Sequence, residues 1–405
     1  FSLTGQPNAM GGREVGGLAN MLAAHMGFSA SDIDRVRRFW GAPRMAEREG
    51  LKAVAMFDAV AAGTVGAMWV MGTNPAASMP RADHVRRAMA GLDLLVVSEN
   101  VLSNDTVNAG AHILLPATAW GEKDGTVTNS ERRITRQRPF LRAPGEARPD
   151  WWAVAEVAKR LGFAEGFSWP GPAAIFREHA ALSGFENRGT RDFDISGLAR
   201  IDDAGYDSLV PVQWPVRTSS GRGDKRFFAT GGFYSADGRA RLVAIAPPAL
   251  GAETDAARPF LLNTGRIRDQ WHTMTRTGKS PTLGRHIPEP FVAVHPADAA
   301  AAGLAEGDFA RLDSAHGGAS LRVVLDEGQA RGEVFAPIHW TAETAADARI
   351  GAVVQASTDP VSGQPEMKAT PVALTRIAVT VEGFLLRRGE APAPGGLLWT
   401  RVTTE

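Results

Sequence analysis

The densest gathering of hydrogen-bond donors in this sequence is Asn263–Arg276, NTGRIRDQWHTMTR. Thr264, Arg266, Arg268, Gln270, Trp271, His272, Thr273, Thr275 and Arg276 fall within fourteen residues, directly after an apolar run that reads as a strand. Guanidinium forks match phosphate oxygens, and indole, imidazole and amide groups suit a heterocycle, so the set fits recognition of a nucleotide-like ligand. The alternative is a solvated polar loop, against which stands the Trp271-His272 pair, because an indole in such a loop needs a partner. A second candidate is Gly5–Gly17, with five glycines, one proline and the pair Arg13-Glu14, where backbone amides and one guanidinium can converge on an anion. It is neither G-x-G-x-x-G nor a Walker loop, and a glycine-rich connection with a solvated arginine explains the pattern equally well. Arg132, Arg133, Arg136, Arg138 and Arg142 form a third basic run, of a kind more often solvated or paired than used for binding.

Other chemistries are poorly supported. The nine histidines show no H-E-x-x-H spacing, and with no cysteine in the chain there is no disulfide, thiolate metal site or iron-sulfur cluster held by these residues. No metal ligand is expected within this chain. There is no G-x-S-x-G elbow for a hydrolase serine. Thr277-Gly278-Lys279-Ser280 resembles the tail of a phosphate loop, but Thr273 stands where the first glycine belongs. The 44 basic residues balance 44 acidic ones, which gives no reason to expect nucleic acid or an anionic membrane as partner. No apolar run approaches the ~20 residues that span a bilayer.

The elements that must position these groups follow from periodicity. Ala67–Met71 reads as a buried strand opening into the turn Gly72-Thr73-Asn74-Pro75. Residues 79–92 carry Val85, Met89 and Leu92 on one helical stripe, with Arg81, Asp83, Arg86 and Arg87 facing solvent. Leu94–Val97 and Ile113–Leu115 are further strands, the first ending in Ser98-Glu99-Asn100. Strand, helix, strand, with polar residues at successive strand ends, predicts an α/β parallel sheet with a nucleotide-sized crevice at its carboxyl edge. Helices are expected over 31–40, 50–62 and 151–161, with an irregular stretch over 184–258 that holds only short candidate strands such as Leu242–Ala246. From residue 259 the period changes to short strands, 259–263, 291–294, 309–313, 320–325 and 333–337, with a hairpin turn at His316-Gly317-Gly318 and a brief helix at 295–302, which suggests a small β-barrel. A ligand would then lie where the α/β and β-rich parts meet.

Six motifs in order carry a resemblance: TGQPNAMGGREVGG (4–17), GTNP (72–75), ILLPATAWGEKDGTVTNSERRI (113–134), TGRIRDQWHTMTR (264–276), FAPIHW (335–340) and DPVSGQPEMKATPV (359–372). Together they resemble the second half of a molybdopterin oxidoreductase of the dimethyl sulfoxide reductase superfamily, most of all the assimilatory nitrate reductases, to which the Ser-Gly-Gln-Pro-Glu run before Lys368 points. The resemblance implies a Rossmann-like parallel-sheet dinucleotide-binding domain followed by a double-psi β-barrel capping domain, and as cofactor a molybdenum bis(molybdopterin guanine dinucleotide). It places Gly72, Thr73, Asn74, Pro75, Ser98 and Glu99 toward guanosine. It places Gly265, Arg266, Trp271, His272, Thr273, Thr275 and Arg276 near pterin and phosphates, and Gln364 and Lys368 in a C-terminal cofactor loop. Arg13 matches an arginine at the foot of the substrate funnel, with Gln6 and Met10 nearby, and its fork suits planar nitrate. The reaction implied is oxygen-atom transfer from nitrate, giving nitrite.

The resemblance also implies what this chain lacks: the family's first half, with its 4Fe-4S cluster on cysteines, its first pterin-binding region and the cysteine that ligates molybdenum. Phe1 is therefore read as the start of a fragment. The expected divisions are 1–63 as the end of a truncated domain, 64–165 as the α/β dinucleotide domain, 166–257 as an irregular connection, 258–385 as the barrel and 386–405 as a tail. The expected partners are nitrate and an electron donor (ferredoxin, flavodoxin or an NADH-linked subunit), with no nucleic acid or membrane, in the cytoplasm. Gln355 departs from the pattern, since an asparagine is expected there. A formate dehydrogenase, a periplasmic-type nitrate reductase and a non-catalytic structural homologue are the alternatives.

Overall fold

Apolar runs bounded by glycine, proline or polar clusters form the strands of the computed structural model, which describes residues 8–218, 221–222, 226–246, 248–385 and 396–402. They are β1 (Ala67–Met71), β2 (Leu94–Glu99), β3 (Ile113–Pro116), β4 (Gly125–Thr128), β5 (Arg133–Gln137), β6 (Val212–Gln213), β7 (Val216–Arg217), β8 (Gly221–Arg222), β9 (Phe260–Gly265), β10 (Phe291–Val294), β11 (Phe309–Asp313), β12 (Gly318–Leu325), β13 (Glu333–Pro337) and β14 (Thr370–Ile377). The helices are α1 (Ala9–Glu14), α2 (Ala30–Trp40), α3 (Ala53–Ala61), α4 (Pro75–Ser78), α5 (Ala82–Ala90), α6 (Asp150–Arg160), α7 (Pro172–Gly184), α8 (Asp203–Asp207), α9 (Pro281–Gly284) and α10 (Pro296–Ala301). The chain forms two interleaved units, residues 1–51 with 117–246, and residues 52–116 with 247–405.

The second unit contains a three-stranded parallel sheet in the order β1-β2-β3 and a closed six-stranded barrel in the order β10-β12-β11-β14-β9-β13. In the sheet, β2 is central and buries Leu95 and Val97 completely, while α5 lays Val85 and Met89 and α3 lays Phe57 and Val60 into the same core. The predicted 79–92 helix is shorter than expected, because Arg81 sits in the left-handed region at φ 50° and separates α4 from α5. The barrel core is aliphatic: Leu262, Val292, Val294, Leu312, Leu321, Val323, Val334 and Val372 are all fully buried. Closure pairs every strand on both sides, which removes exposed edges. Five of its strands match predicted ones, and the sixth, β14, follows the Gln364–Lys368 loop at a place where no strand is predicted.

The first unit is built on an antiparallel sheet, β4-β5-β6, with α1, α2 and α7 around a core of Phe176, Phe193, Tyr206 and Trp214. Here sequence reading and structure differ. Gly5–Gly17 reads as a loop, yet Ala9–Glu14 within its described part is helix α1, in which a side chain at position 11 would strike Asn8 Oδ1 at 2.1 Å. Helix α7 and core residues Phe193, Ile195 and Trp214 fall within the stretch read as irregular. Leu242–Ala246 is not a strand, and with no partner strand Leu242 is 96% exposed.

Candidate functional site

In the second unit, β1 is followed by Gly72, whose φ of 58° suits a residue without Cβ and whose N–H donates to Ser98 O (2.9 Å). The chain then turns through Thr73 to Asn74, buried ahead of Pro75 at the first position of α4. Asn74 Oδ1 accepts from Thr106 N (3.0 Å) and Thr106 Oγ1 (2.7 Å), and its Nδ2 donates to Thr273 Oγ1 (3.2 Å). Both polar atoms of Asn74 are thus spent inside the protein, tying the strand-end turn to the 263–276 loop. Ser98 is likewise engaged, its Oγ accepting from Trp69 Nε1 (2.8 Å). Glu99 accepts from Asn100 N (2.8 Å) and Asn104 Nδ2 (3.3 Å). With its amide oriented to satisfy its neighbours, Asn100 donates to Glu99 Oε1 (3.0 Å) and accepts from Arg276 (3.2 Å), a second link between the two loops.

The loop after β9 is held at its base. His339, fully buried just after β13, accepts from Ile267 N at Nε2 (2.9 Å) and donates from Nδ1 to His272 O (2.6 Å). Accepting at one nitrogen and donating at the other fixes the neutral tautomer, and burial, the largest influence, holds the imidazole below its ordinary value. At the second anchor and just beyond it, His272 (φ 41°) and Met274 (φ 60°) lie in the left-handed region, a cost the clamp must offset. Arg266 lies 5.6 Å over the Trp271 ring, and Trp271 meets His272 edge-on at 4.6 Å. Lys368 donates to Thr264 O, and partial burial followed by the like charge of Arg266 lowers its ammonium. Gly265 is needed here, because a Cβ would meet the Phe335 ring at 2.7 Å. Thr275 is half-buried and Arg276 exposed.

Gln270 is the informative residue. It is 4% exposed, and neither its Oε1 nor its Nε2 has a hydrogen-bond partner among the described residues. A buried, unsatisfied amide costs about 1–3 kcal/mol, so the loop carries an unmet demand for one donor and one acceptor, which a polar heterocyclic cofactor can meet. The cations Arg266, Arg276 and Lys368 on the same and the facing loop add the charge that phosphates need. Gln364 lies in the exposed turn closed by Asp359 N donating to Gln364 O (2.9 Å), and its own N–H donates to Ser362 Oγ (3.1 Å). Gln355 is buried and donates to Glu366 (2.8 Å) and Ala369 O (3.0 Å), so the departure from asparagine is accommodated by an acceptor pair within reach of the longer side chain. His339 was missed as a site residue; a lone histidine directly behind an apolar strand, in FAPIHW, was the available signal.

In the first unit Arg13 is exposed on α1 while Met10 and Glu14 on the same helix are buried. Gln6 lies outside the described residues. Four of the arginines in the 132–142 run, Arg132, Arg133, Arg136 and Arg138, take the structural role, while Arg142 is exposed. Arg132 stacks 3.9 Å over Phe227 and donates to Trp214 O (2.6 Å), Arg133 pairs with Glu131, and Arg138 donates to Asp207 O. Arg136 is buried against Asp124 (2.5 Å) and Tyr206 O (3.0 Å). Among the described residues no three His, Asp or Glu side chains gather as a metal site, and no helix is long and apolar enough to cross a membrane.

Comparison with known proteins agrees with this geometry. Residues 4–160 match the model of the molybdopterin oxidoreductase family and residues 260–371 that of the molydopterin dinucleotide binding domain. A nitrate reductase of Klebsiella oxytoca is 51% identical over 99% of this chain and 46% of its own length, and one of Shewanella frigidimarina 42% identical over 100% and 45%. The chain thus spans a little under half of these relatives. Acetylene hydratase from Pelobacter acetylenicus shares the fold, with a TM-score of 0.63 at 17% identity over 80% of this chain and 46% of that one. A strand-end turn locked to a donor-rich loop, and a family model over each of those stretches, lead to one assignment: the chain belongs to the molybdopterin oxidoreductases.

Proposed function

We propose that this chain is part of an enzyme that reduces nitrate to nitrite at molybdenum held by molybdopterin guanine dinucleotide. The observation that carries the cofactor reading is the orphaned Gln270 amide inside a loop clamped by His339 and Asn74. When bound, the cofactor supplies two electrons and the metal at which the N–O bond is broken. In this reading Gln270, Arg266, Trp271, His272, Thr275, Arg276 and Lys368 hold its pterin and phosphates. Gly72, Thr73 and Pro75 shape the guanosine end, with Asn74, Thr273, Ser98 and Glu99 fixing the loops through the bonds they already make. The parallel sheet is read as Rossmann-like and the barrel as double-psi.

The substrate reading rests on the likeness to nitrate reductases and on Arg13, whose exposed fork can bind two nitrate oxygens and leave the third free. The Ser-Gly-Gln-Pro-Glu run supports the assimilatory branch over the periplasmic one and over formate dehydrogenases. With it go a cytoplasmic location, a soluble electron donor such as ferredoxin, flavodoxin or an NADH-linked subunit, and a 4Fe-4S cluster held by residues outside this chain. The test is steady-state assay of the complete, cofactor-loaded enzyme with nitrate and with formate. Nitrate reduction that falls about a hundredfold or more in Arg13→Ala is the expected result. Formate oxidation without nitrate reduction would reject the reading.

A further inference from the structure

Behind helix α1, within the first unit, lies a cavity of about 80 Å³, room for more than one water molecule. Its polar lining is Asn8, Glu14, Thr126, Thr128 and His179, and its apolar walls include Phe176 and Ile195. Glu14 is 4% exposed, with Oε2 accepting from Thr128 Oγ1 (2.8 Å) and Oε1 from Trp214 Nε1 (2.5 Å). His179 stacks on Phe193 (5.3 Å, 30°), and its Nε2 is buried with no partner among the described residues. Among the described residues, further charged and titratable groups stand near this pocket. His25 pairs through Nδ1 with Asp192 (2.8 Å), Asp194 lies 3.8 Å from Arg217, and Arg132 lies 5.2 Å over the Trp214 ring.

Burial raises the Glu14 carboxyl to about 7, against the two hydrogen bonds and His25, while Asp192 adds slightly to the rise. Burial, then His25, lowers His179 to about 4. A carboxyl held well above its ordinary range and a neutral imidazole thus line one space that fits water. A purely structural glutamate, present only to satisfy Thr128 and Trp214, accounts for neither the bare His179 nitrogen nor the polar cavity between the two. The same short helix presents Arg13 to solvent.

We infer that Glu14, with water held between its carboxyl and His179, is the proton donor for the nitrate reduction proposed above, an inference that rests on the Arg13 reading. The overall change is nitrate plus two protons and two electrons giving nitrite and water. One N–O bond breaks, two O–H bonds form on the departing oxygen, and the electrons come from the enzyme's electron-donor protein. Each proton leaves the Glu14 O–H and is replaced from solvent through the cavity, which opens beside the exposed Val15.

The test uses the complete, cofactor-loaded enzyme. In Glu14→Gln, kcat at neutral pH falls roughly a hundredfold, KM for nitrate stays constant, molybdenum content is retained, and the alkaline limb of the pH profile disappears. Thr128→Val removes a hydrogen bond that favours the carboxylate, so it keeps activity and moves that limb to higher pH. Independently of turnover, isotope-edited infrared spectra show a protonated carboxyl band that titrates near neutrality and is missing in Glu14→Gln. Unchanged kcat in Glu14→Gln, or an equal loss at every pH, would overturn the inference. Should Glu14→Gln fail to fold, an unmoved limb in Thr128→Val overturns it. Failure of the Arg13 reading is seen separately, as nitrate turnover surviving in Arg13→Ala.

Discussion

The barrel unit and the Arg13 unit solve the problem of buried polarity in opposite ways. The barrel fills its interior with Leu262, Val292, Leu312, Val323 and Val334 and pushes its polar chemistry out to the loops after β9 and β13. Among its described residues the Arg13 unit has open sheets in place of a barrel, and it wraps Phe176, Phe193, Tyr206 and Trp214 around a glutamate and two histidines. A closed strand network satisfies its own backbone and can tolerate an all-aliphatic centre. A core assembled from short strands and loops instead satisfies its backbone and side chains through polar groups such as Glu14, Ser183 and Arg191. The difference therefore predicts which unit responds to pH.

The largest effect expected is in the barrel: Leu312→Ala lowers unfolding free energy by about 3 kcal/mol with no change in pH dependence, measured by denaturant titration at several pH values. In the Arg13 unit the effect is one of slope. A carboxyl raised to about 7 stabilises the fold fully below its ordinary value of 4.5, and that contribution is lost as pH rises through 7. A histidine lowered to about 4 does the reverse, its contribution present above 6.5 and lost as pH falls toward 4. The two offset one another in the parent protein. Glu14→Gln should leave stability rising with pH across the weakly acid range, and His179→Phe should leave it falling, each by on the order of 3 kcal/mol at most. Parallel slopes in the two variants would remove the contrast between the units. Smaller again, His339→Ala leaves the Ile267 N–H unpaired, costs about 1–3 kcal/mol and lowers molybdenum content. Asn74→Ala, which frees Thr106 and Thr273, costs about 1 kcal/mol and weakens cofactor retention without touching the barrel core.

The same contrast explains what was legible in the sequence. Barrel strands β10, β11 and β13 and sheet strand β1 were readable to the residue, because apolar runs ended at glycine, proline or charged punctuation. Strand β14 was hidden by Pro371 and by the motif immediately before it, and only pairing with β9 and β11 makes it a strand. Hairpin β4–β5 was masked by arginines whose burial depends on partners far along the chain, Tyr206 and Asp207 for Arg136. Exposed Arg13 and the donors of the 263–276 loop stood out by type and spacing. Glu14 and His339 did not, since their significance comes from burial, and burial of a lone charged residue leaves no periodic trace. The Leu242–Ala246 run shows the converse error, a continuous apolar run with no neighbouring strand to pair with among the described residues.

The most direct test of the account is to measure nitrate turnover and molybdenum content together in Arg13→Ala and Gln270→Ala forms of the complete enzyme. The account predicts a crossed result: Arg13→Ala keeps its molybdenum and loses nitrate reduction, whereas Gln270→Ala loses molybdenum and activity in proportion. Full nitrate turnover in Arg13→Ala, or unchanged cofactor content in Gln270→Ala, would contradict it.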